Sequence, residues 1–217
     1  AMEDYGNNSV FVPYLGALYD LTEQHRLYAS YTEIFKAQDR RDASNSLLDP
    51  VEGKSYEIGL KSTFLNDLLH TTVSLFQIDQ ENLAVVDPNF VPTAEQQTAY
   101  YGADGTQSKG FELELAGSLT EQLQLSGSLT SIDIDGDDLV KGYTPERVAK
   151  LAAVYQLPQL PGARVGLNYR WQSAISRKQG TVAAVYANAG QDIVTTQDAY
   201  GLLGIMATCQ FTSGCLS

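Results

Sequence analysis

The stretch SKGFELELAGSLTEQLQLSGSLTSI (Ser108–Ile132) decides the fold. Its first half alternates strictly: Phe111, Leu113 and Leu115 share one side, Glu112 and Glu114 the other. A period of two is that of a strand with unlike faces. LTEQ (Leu119–Gln122) then interrupts the pattern, and a weaker alternation resumes at Leu123. The stretch thus reads as two antiparallel strands joined by a short polar turn.

The same unit recurs outward in both directions. Short connections fall at Asp20–Gln24, Asn66–Leu68, Leu119–Gln122 and Leu157–Ala163. Between them lie long polar segments at Lys36–Lys54, Glu81–Gln107, Asp133–Glu146 and Ser173–Gln197, far above the usual hairpin loop of about 2–5 residues. Strict alternation of short and long means that the two ends of the sheet face different surroundings. Transmembrane β-barrels have this layout, with short periplasmic turns and long extracellular loops.

Strands are expected near Val10–Tyr19, Arg26–Phe35, Ser55–Phe64, Leu69–Gln80, Ser108–Ser118, Leu123–Ile132, Arg147–Gln156, Arg164–Gln172 and Ala199–Thr208, with a short tenth at Thr98–Tyr101. Most have the roughly 9–11 residues that cross a bilayer at a tilt. The expected fold is all-β, an antiparallel up-and-down meander of about ten strands, and no helix of useful length is signalled. Aromatic residues gather towards strand ends (Tyr14, Tyr19, Tyr28, Tyr31, Tyr56, Tyr155, Tyr169, Trp171), as in the interfacial girdles of barrels, although soluble sandwiches also carry tyrosine in strands. Alternation alone does not separate barrel from sandwich; the loop asymmetry favours the barrel.

Composition narrows the function classes. The 217 residues are 43% hydrophobic and 18% charged, which excludes a disordered chain. No run approaches the roughly 18 apolar residues of a membrane-spanning helix. A net charge of −12 argues against nucleic acid as a partner, because phosphate binding needs a cationic surface. The opening AMEDYG lacks the basic and apolar segments of a signal peptide, so the chain reads as mature or as lacking its front. Only two cysteines occur, Cys209 and Cys215, and at most they close one small terminal loop. His25 and His70 sit in separate strands, and no nucleophile–base–acid set or Gly-rich phosphate loop is visible, so no catalytic function is expected.

SIDIDGDD (Ser131–Asp138) has the look of a calcium loop, yet with Gly136 at the sixth position the twelfth is Gly142 rather than the bidentate Glu required. It reads as a polar external loop. Asn7-Asn8-Ser9 fits a glycosylation acceptor but carries little weight.

Beyond these patterns, particular words carry a resemblance. LYASYTEIFKAQD (Leu27–Asp39) followed by LLDPVEGKSYEIGLKSTF (Leu47–Phe64) is similar to the barrel of TonB-dependent ferric-siderophore receptors, with Ala37 where that family usually has proline. Further matches follow in family order: YLGALYDLT (Tyr14–Thr22), SLFQIDQENLAVVDP (Ser74–Pro88), SKGFELELAGSLT (Ser108–Thr120) and TPERVAKLAAVYQLP (Thr144–Pro158).

The resemblance implies part of a 22-stranded barrel in the bacterial outer membrane. It implies a ferric siderophore as transported ligand, no covalently bound cofactor, outer-membrane lipid around the wall, and a TonB complex reached through a plug region that the chain lacks. Residues 1–208 are then expected to be a partial barrel and 209–217 an atypical tail. On this reading Tyr100, Tyr101, Tyr143, Arg170, Trp171 and Tyr186, in or beside the long loops, are the candidate ligand-binding residues. The alternatives are an aromatic girdle for Trp171 and, for Arg170 and Arg164, ion pairs with Glu112 and Glu114 on neighbouring walls. A small outer-membrane barrel, as an enzyme or adhesin, and a soluble β-rich binding domain are the competing functions.

Overall fold

The computed structural model describes residues 10–103, 105–136, 144–182 and 187–210. Nine strands form one antiparallel meander: β1 (Tyr14–Asp20), β2 (His25–Lys36), β3 (Val51–Phe64), β4 (Leu69–Glu81), β7 (Thr106–Ser118), β8 (Leu123–Asp135), β9 (Arg147–Gln156), β10 (Ala163–Gln172) and β13 (Tyr200–Cys209). Each pairs with its predecessor in this order, and β1 and β13 are the two edges.

Two ribbons stand apart from the sheet. β5 (Leu83–Val86) pairs with β6 (Tyr100–Ala103), and β11 (Ile175–Thr181) pairs with β12 (Asp192–Gln197). Both lie inside segments expected to be long loops. The expected tenth strand at Thr98–Tyr101 is realised as β6, outside the meander. The first strand begins at Tyr14 rather than Val10 because Pro13 has no N–H to donate; its carbonyl instead accepts from the Glu33 amide at 3.1 Å.

The short turns repeat one design. In Leu21-Thr22-Glu23-Gln24 the Thr22 hydroxyl accepts from the amides of Gln24 and His25, both at 3.1 Å. In Leu119-Thr120-Glu121-Gln122 the Thr120 hydroxyl accepts from Gln122 at 3.2 Å and Leu123 at 3.0 Å. The threonine closes the turn locally, so the register of each hairpin follows from four residues. The β3–β4 turn uses another device, with Leu65, Asn66 and Asp67 all at positive φ (56°, 55° and 65°). Asn and Asp tolerate that region well, and Leu does not.

Pairing register divides the sheet into two unlike faces. Ala29, Ile58, Leu75 and Phe111 form one cross-strand row, and Leu27, Leu60, Val73, Leu113, Leu129 and Ala149 the next. This face is apolar over most of its width and open: Ile58, Leu75, Leu203 and Ile205 are all exposed, Ile205 to 73%. The opposite face carries Glu57, Lys61, Thr72, Ser74, Glu112, Glu114, Ser128, Lys150 and Arg170.

The apolar core gathers at one end of the sheet rather than along it. Among the described residues the buried apolar side chains are Val51, Val85, Ala99, Ala103 and Ala163, and all but Ala163 lie where the 81–107 segment meets the long-loop end of β3.

Candidate functional site

Two regions position chemistry-bearing side chains: the polar face of the meander and the layer of loops at its long-loop end.

On the polar face, Tyr28 of β2 lies over Gly59 of β3. A Cβ at residue 59 would come within 2.4 Å of the Tyr28 ring, so the absence of a side chain there makes room for it. The Tyr28 hydroxyl donates to Glu57, and Lys61 Nζ sits 5.0 Å from the ring centroid on a cation–π contact. Further along, Thr130 donates to Glu112 at 3.4 Å.

Beyond Glu112 the face opens into a hollow of about 620 Å³. Its floor is made of small residues, Ala116, Ser126, Ser128 and Ala152, with Glu114 and Thr72 on one side and Lys150 and Arg170 on the other. Among the described residues Arg170 makes no ion pair with a glutamate. Its register partner on β9 is Lys150, and Glu114 is separated from Lys150 by Ser128. Arg164 likewise stands opposite Gln156 and Thr208. The expected ion pairs with Glu112 and Glu114 are therefore not formed. Alternation within single strands gives the face of each charge but not its neighbour.

At the long-loop end, the 37–50 segment and the β5–β6 ribbon interlock. The Tyr100 amide donates to the Arg41 carbonyl at 2.8 Å, and Gln96 Nε2 to the Asp42 carbonyl at 2.8 Å. Gln38 Nε2 donates to the carbonyls of Asp49 and, at 2.9 Å, Asn82. Asn82 Nδ2 returns a bond to the Pro50 carbonyl at 3.2 Å. Ala99, wholly buried, lies beneath this seam together with Val85 and Ala103. The first segment is further tied to itself by Asp42, whose carboxylate accepts from the Ser44 amide and hydroxyl and the Ser46 amide at 2.9, 2.7 and 2.9 Å. Those bonds, the Ser44 hydroxyl foremost, hold the Asp42 carboxyl below the usual carboxylate range.

The residues singled out from sequence fall in separate places. Tyr100 and Tyr101 are half-buried on β6, opposite Val86 and Val85. The Arg40 guanidinium sits 5.0 Å from the Tyr100 ring centroid, and Arg40 Nη1 donates to the Tyr100 hydroxyl at 3.5 Å. Arg170 lines the hollow of the polar face. Trp171, the next residue on β10, projects from the apolar face beside Ala149 and Gly201. Tyr143 and Tyr186 lie outside the described residues.

Sequence reasoning missed Arg40, Gln38 and Asn82. The charged run DRRD (Asp39–Asp42) was the available signal, but nothing local shows that Arg40 reaches a tyrosine sixty residues away. His25 has a structural role: its Nδ1 lies 2.8 Å from Ser62 Oγ, and its ring meets Phe64 edge-on at 5.9 Å. Among the described residues no group of three or more His, Cys, Asp or Glu could hold a metal ion.

Comparison with known proteins accounts for this architecture. Residues 3–214 match the family described as TonB dependent receptor-like, beta-barrel. The chain is 38% identical over 196 residues to the ferric-pyoverdine BN7/BN8 receptor of Pseudomonas putida, covering 86% of this chain and 23% of that protein. It is 36% identical over 210 residues to the ferripyoverdine receptor of Pseudomonas aeruginosa, covering 93% of this chain and 25% of that one. The crystal structure of the outer-membrane ferripyoverdine receptor of P. aeruginosa bound to ferripyoverdine superposes with a TM-score of 0.76 at 33% identity, over 93% of this chain and 27% of that chain.

The chain thus spans about a quarter of the length of these relatives. The family is one of transport receptors and not of enzymes, which removes the barrel-enzyme and soluble-domain alternatives. With its open apolar face, its short turns at one end and its interlocked loops at the other, this chain belongs to the TonB-dependent receptor β-barrel family of the bacterial outer membrane.

Proposed function

We propose that the chain is a wall segment of a receptor that binds ferric siderophores outside the cell and imports them with TonB-derived energy. The segment belongs to a barrel of 22 strands, of which residues 1–208 supply consecutive staves; the 209–217 tail starts on the last residue of β13, Cys209, which pairs with Ala163. The apolar face meets outer-membrane lipid, the polar face lines the lumen, and the long-loop end faces outward. Energy coupling to the TonB complex passes through a plug region outside this chain.

The observation that carries this reading is the asymmetry between the two ends of the sheet. One end closes through turns of a few residues fixed by Thr22 and Thr120. The other builds a buried, hydrogen-bonded layer from segments far apart in sequence. A rigid external layer over a polar lumen is what selective capture of a bulky chelate requires.

Tyr100, Tyr101, Tyr143, Arg170 and Tyr186 remain the candidate ligand contacts, with Trp171 belonging to the lipid-facing girdle instead. Arg170 contributes from within the lumen, and Tyr100 acts by supporting Arg40. The test is uptake of radioactive iron by cells that carry the complete receptor as their one siderophore route. Uptake that disappears on loss of TonB, and falls in the Tyr100→Ala/Tyr101→Ala double variant, supports the reading; TonB-independent uptake, or none for any ferric siderophore, contradicts it.

A further inference from the structure

The apolar face of the sheet finishes differently at its two ends. Towards the long loops it stops at the Tyr31–Tyr56 pair, whose ring centroids lie 5.2 Å apart. The next outward row is Glu33, Lys54, Asp79, Gln107 and Asp135, paired strand to strand. Within it the Asp79 carboxylate accepts from the side-chain amides of Gln77 at 3.0 Å and Gln107 at 2.7 Å. Charged and amide side chains so placed belong in water or among headgroups, not among acyl chains.

Towards the short turns the outward row runs on into leucine. Leu21 follows Tyr19, Leu119 follows Gly117 and Leu157 follows Tyr155 at the two-residue spacing of that face. All three hold one position in their hairpins: the Leu21 amide donates to the His25 carbonyl at 2.9 Å, that of Leu119 to Leu123 at 2.9 Å, and that of Leu157 to Ala163 at 3.0 Å. In the β3–β4 hairpin the register partners Phe64 and Leu69 take this place. The turn tips add Leu65, Leu68 and Leu160, and these three with Leu21 and Leu119 are 40% to 59% exposed. Leu65 also sits at φ 56°, where Gly, Asn and Asp are the residues at ease. A leucine left in water gains nothing to offset that cost.

Lengths agree with this pattern. Tyr56 and Phe64 are eight residues apart on β3. At roughly 3.4 Å per residue and a tilt near 40° they span about 21 Å of membrane normal, short of the apolar band of about 25 Å on outer-membrane barrels. The turns supply the remainder.

We infer that the short-turn end is seated in the membrane, with Leu21, Leu65, Leu68, Leu119 and Leu160 inserted among the acyl chains of the leaflet on that side. This rests on the reading that the apolar face meets lipid, and it fixes the height at which the sheet sits. Lipid is the occupant because the leucines continue the lipid-facing row and recur in all four turns, across the whole width from β1 to β10. A docked protein would cover one part of that width. The long-loop end then stands clear of the acyl layer from the Glu33–Asp135 row upward.

The test places single cysteines in the complete receptor, with its native cysteines replaced by serine, and labels them with a fluorophore in vesicles of phosphatidylcholine brominated on the acyl chains. Leu119→Cys and Leu160→Cys probe two turns, and Val73→Cys on β4 is the reference for the lipid-facing wall. Both turn labels are expected to lose most of their fluorescence to the brominated lipid, as the Val73 label does, and to resist iodide present on both sides of the membrane. Quenching of the turn labels by iodide, with Val73 still quenched by bromine, overturns the inference and leaves the lipid-facing wall intact. Shielding of the turn labels from both quenchers overturns it as well, in favour of a protein cover. A Val73 label that escapes bromine removes the lipid-facing reading and the inference together.

Discussion

The Tyr100 amide donates to the Arg41 carbonyl at 2.8 Å, joining two long-loop segments that are separated in sequence by the whole of β3 and β4. Around this bond Ala99 is wholly buried and the Arg40 guanidinium covers the Tyr100 ring. The two segments are one body, and that body holds nearly all of the described apolar core.

Enlarging Ala99 tests this. Ala99→Leu places three extra carbon atoms where no space exists, and overpacking of a tight core costs about 1–3 kcal/mol. The strain falls on the seam and not on the sheet. Hydrogen exchange is expected to rise at the amides of Tyr100 and Asp42 while those of β7 and β8 stay protected. Equal loosening of both would mean that the loops and the wall fold as a single unit.

The Asp42 carboxylate gives the same layer a pH dependence. Its folded pKa lies below the unfolded value of about 3.9, so the bonds it makes contribute fully above that value. They are lost as the pH falls through the lower folded value. Proteolytic nicking of the 37–50 segment is therefore expected to stay slow down to about pH 4 and to accelerate below it. Asp42→Asn should show faster nicking near neutrality and a flattened pH profile. A wild-type profile that is flat across the acid range would contradict the assignment.

The like-charge pair on the polar face makes a third expectation. Lys150 and Arg170 face each other directly, and like charges so placed are destabilising. Lys150→Glu turns the repulsion into attraction and is expected to stabilise the wall by about 0.2–1 kcal/mol, read as a raised urea midpoint of the complete receptor. A lowered midpoint would show that Lys150 already has an anionic partner from a part of the receptor outside this chain.

How much of this was legible in the sequence depends on the range over which each signal acts. The nine staves of the meander were readable because alternation is local. Phe111, Leu113 and Leu115 declare a face without reference to any other strand. The turns were readable for the same reason, Thr22 and Thr120 closing them within three residues. The ribbons were not. Leu83–Val86 is a short apolar run without alternation inside a polar segment, and it becomes a strand only because Tyr100–Ala103 returns beside it.

Tyr100 lies in the long segment read from the sequence, on β6, yet its contact with Arg40 is a long-range fact that no local pattern carries. Arg170 shows the opposite failure. Its face was inferred from one strand, but the register set by its neighbours places Lys150, not Glu114, across from it.

The central claim is that one face of this sheet meets lipid and the other lines a wet lumen. Single cysteines introduced along Thr71–Ile78 of β4, in the complete receptor in bilayers with its native cysteines replaced by serine, test it most directly. Spin labels at Val73 and Leu75 are expected to be relaxed by oxygen, which partitions into lipid. Labels at Thr72 and Ser74 should be shielded from it and, where water reaches them, relaxed by a water-soluble nickel chelate instead. Accessibility to oxygen that does not alternate along the strand, or that alternates in the opposite phase, would contradict the account.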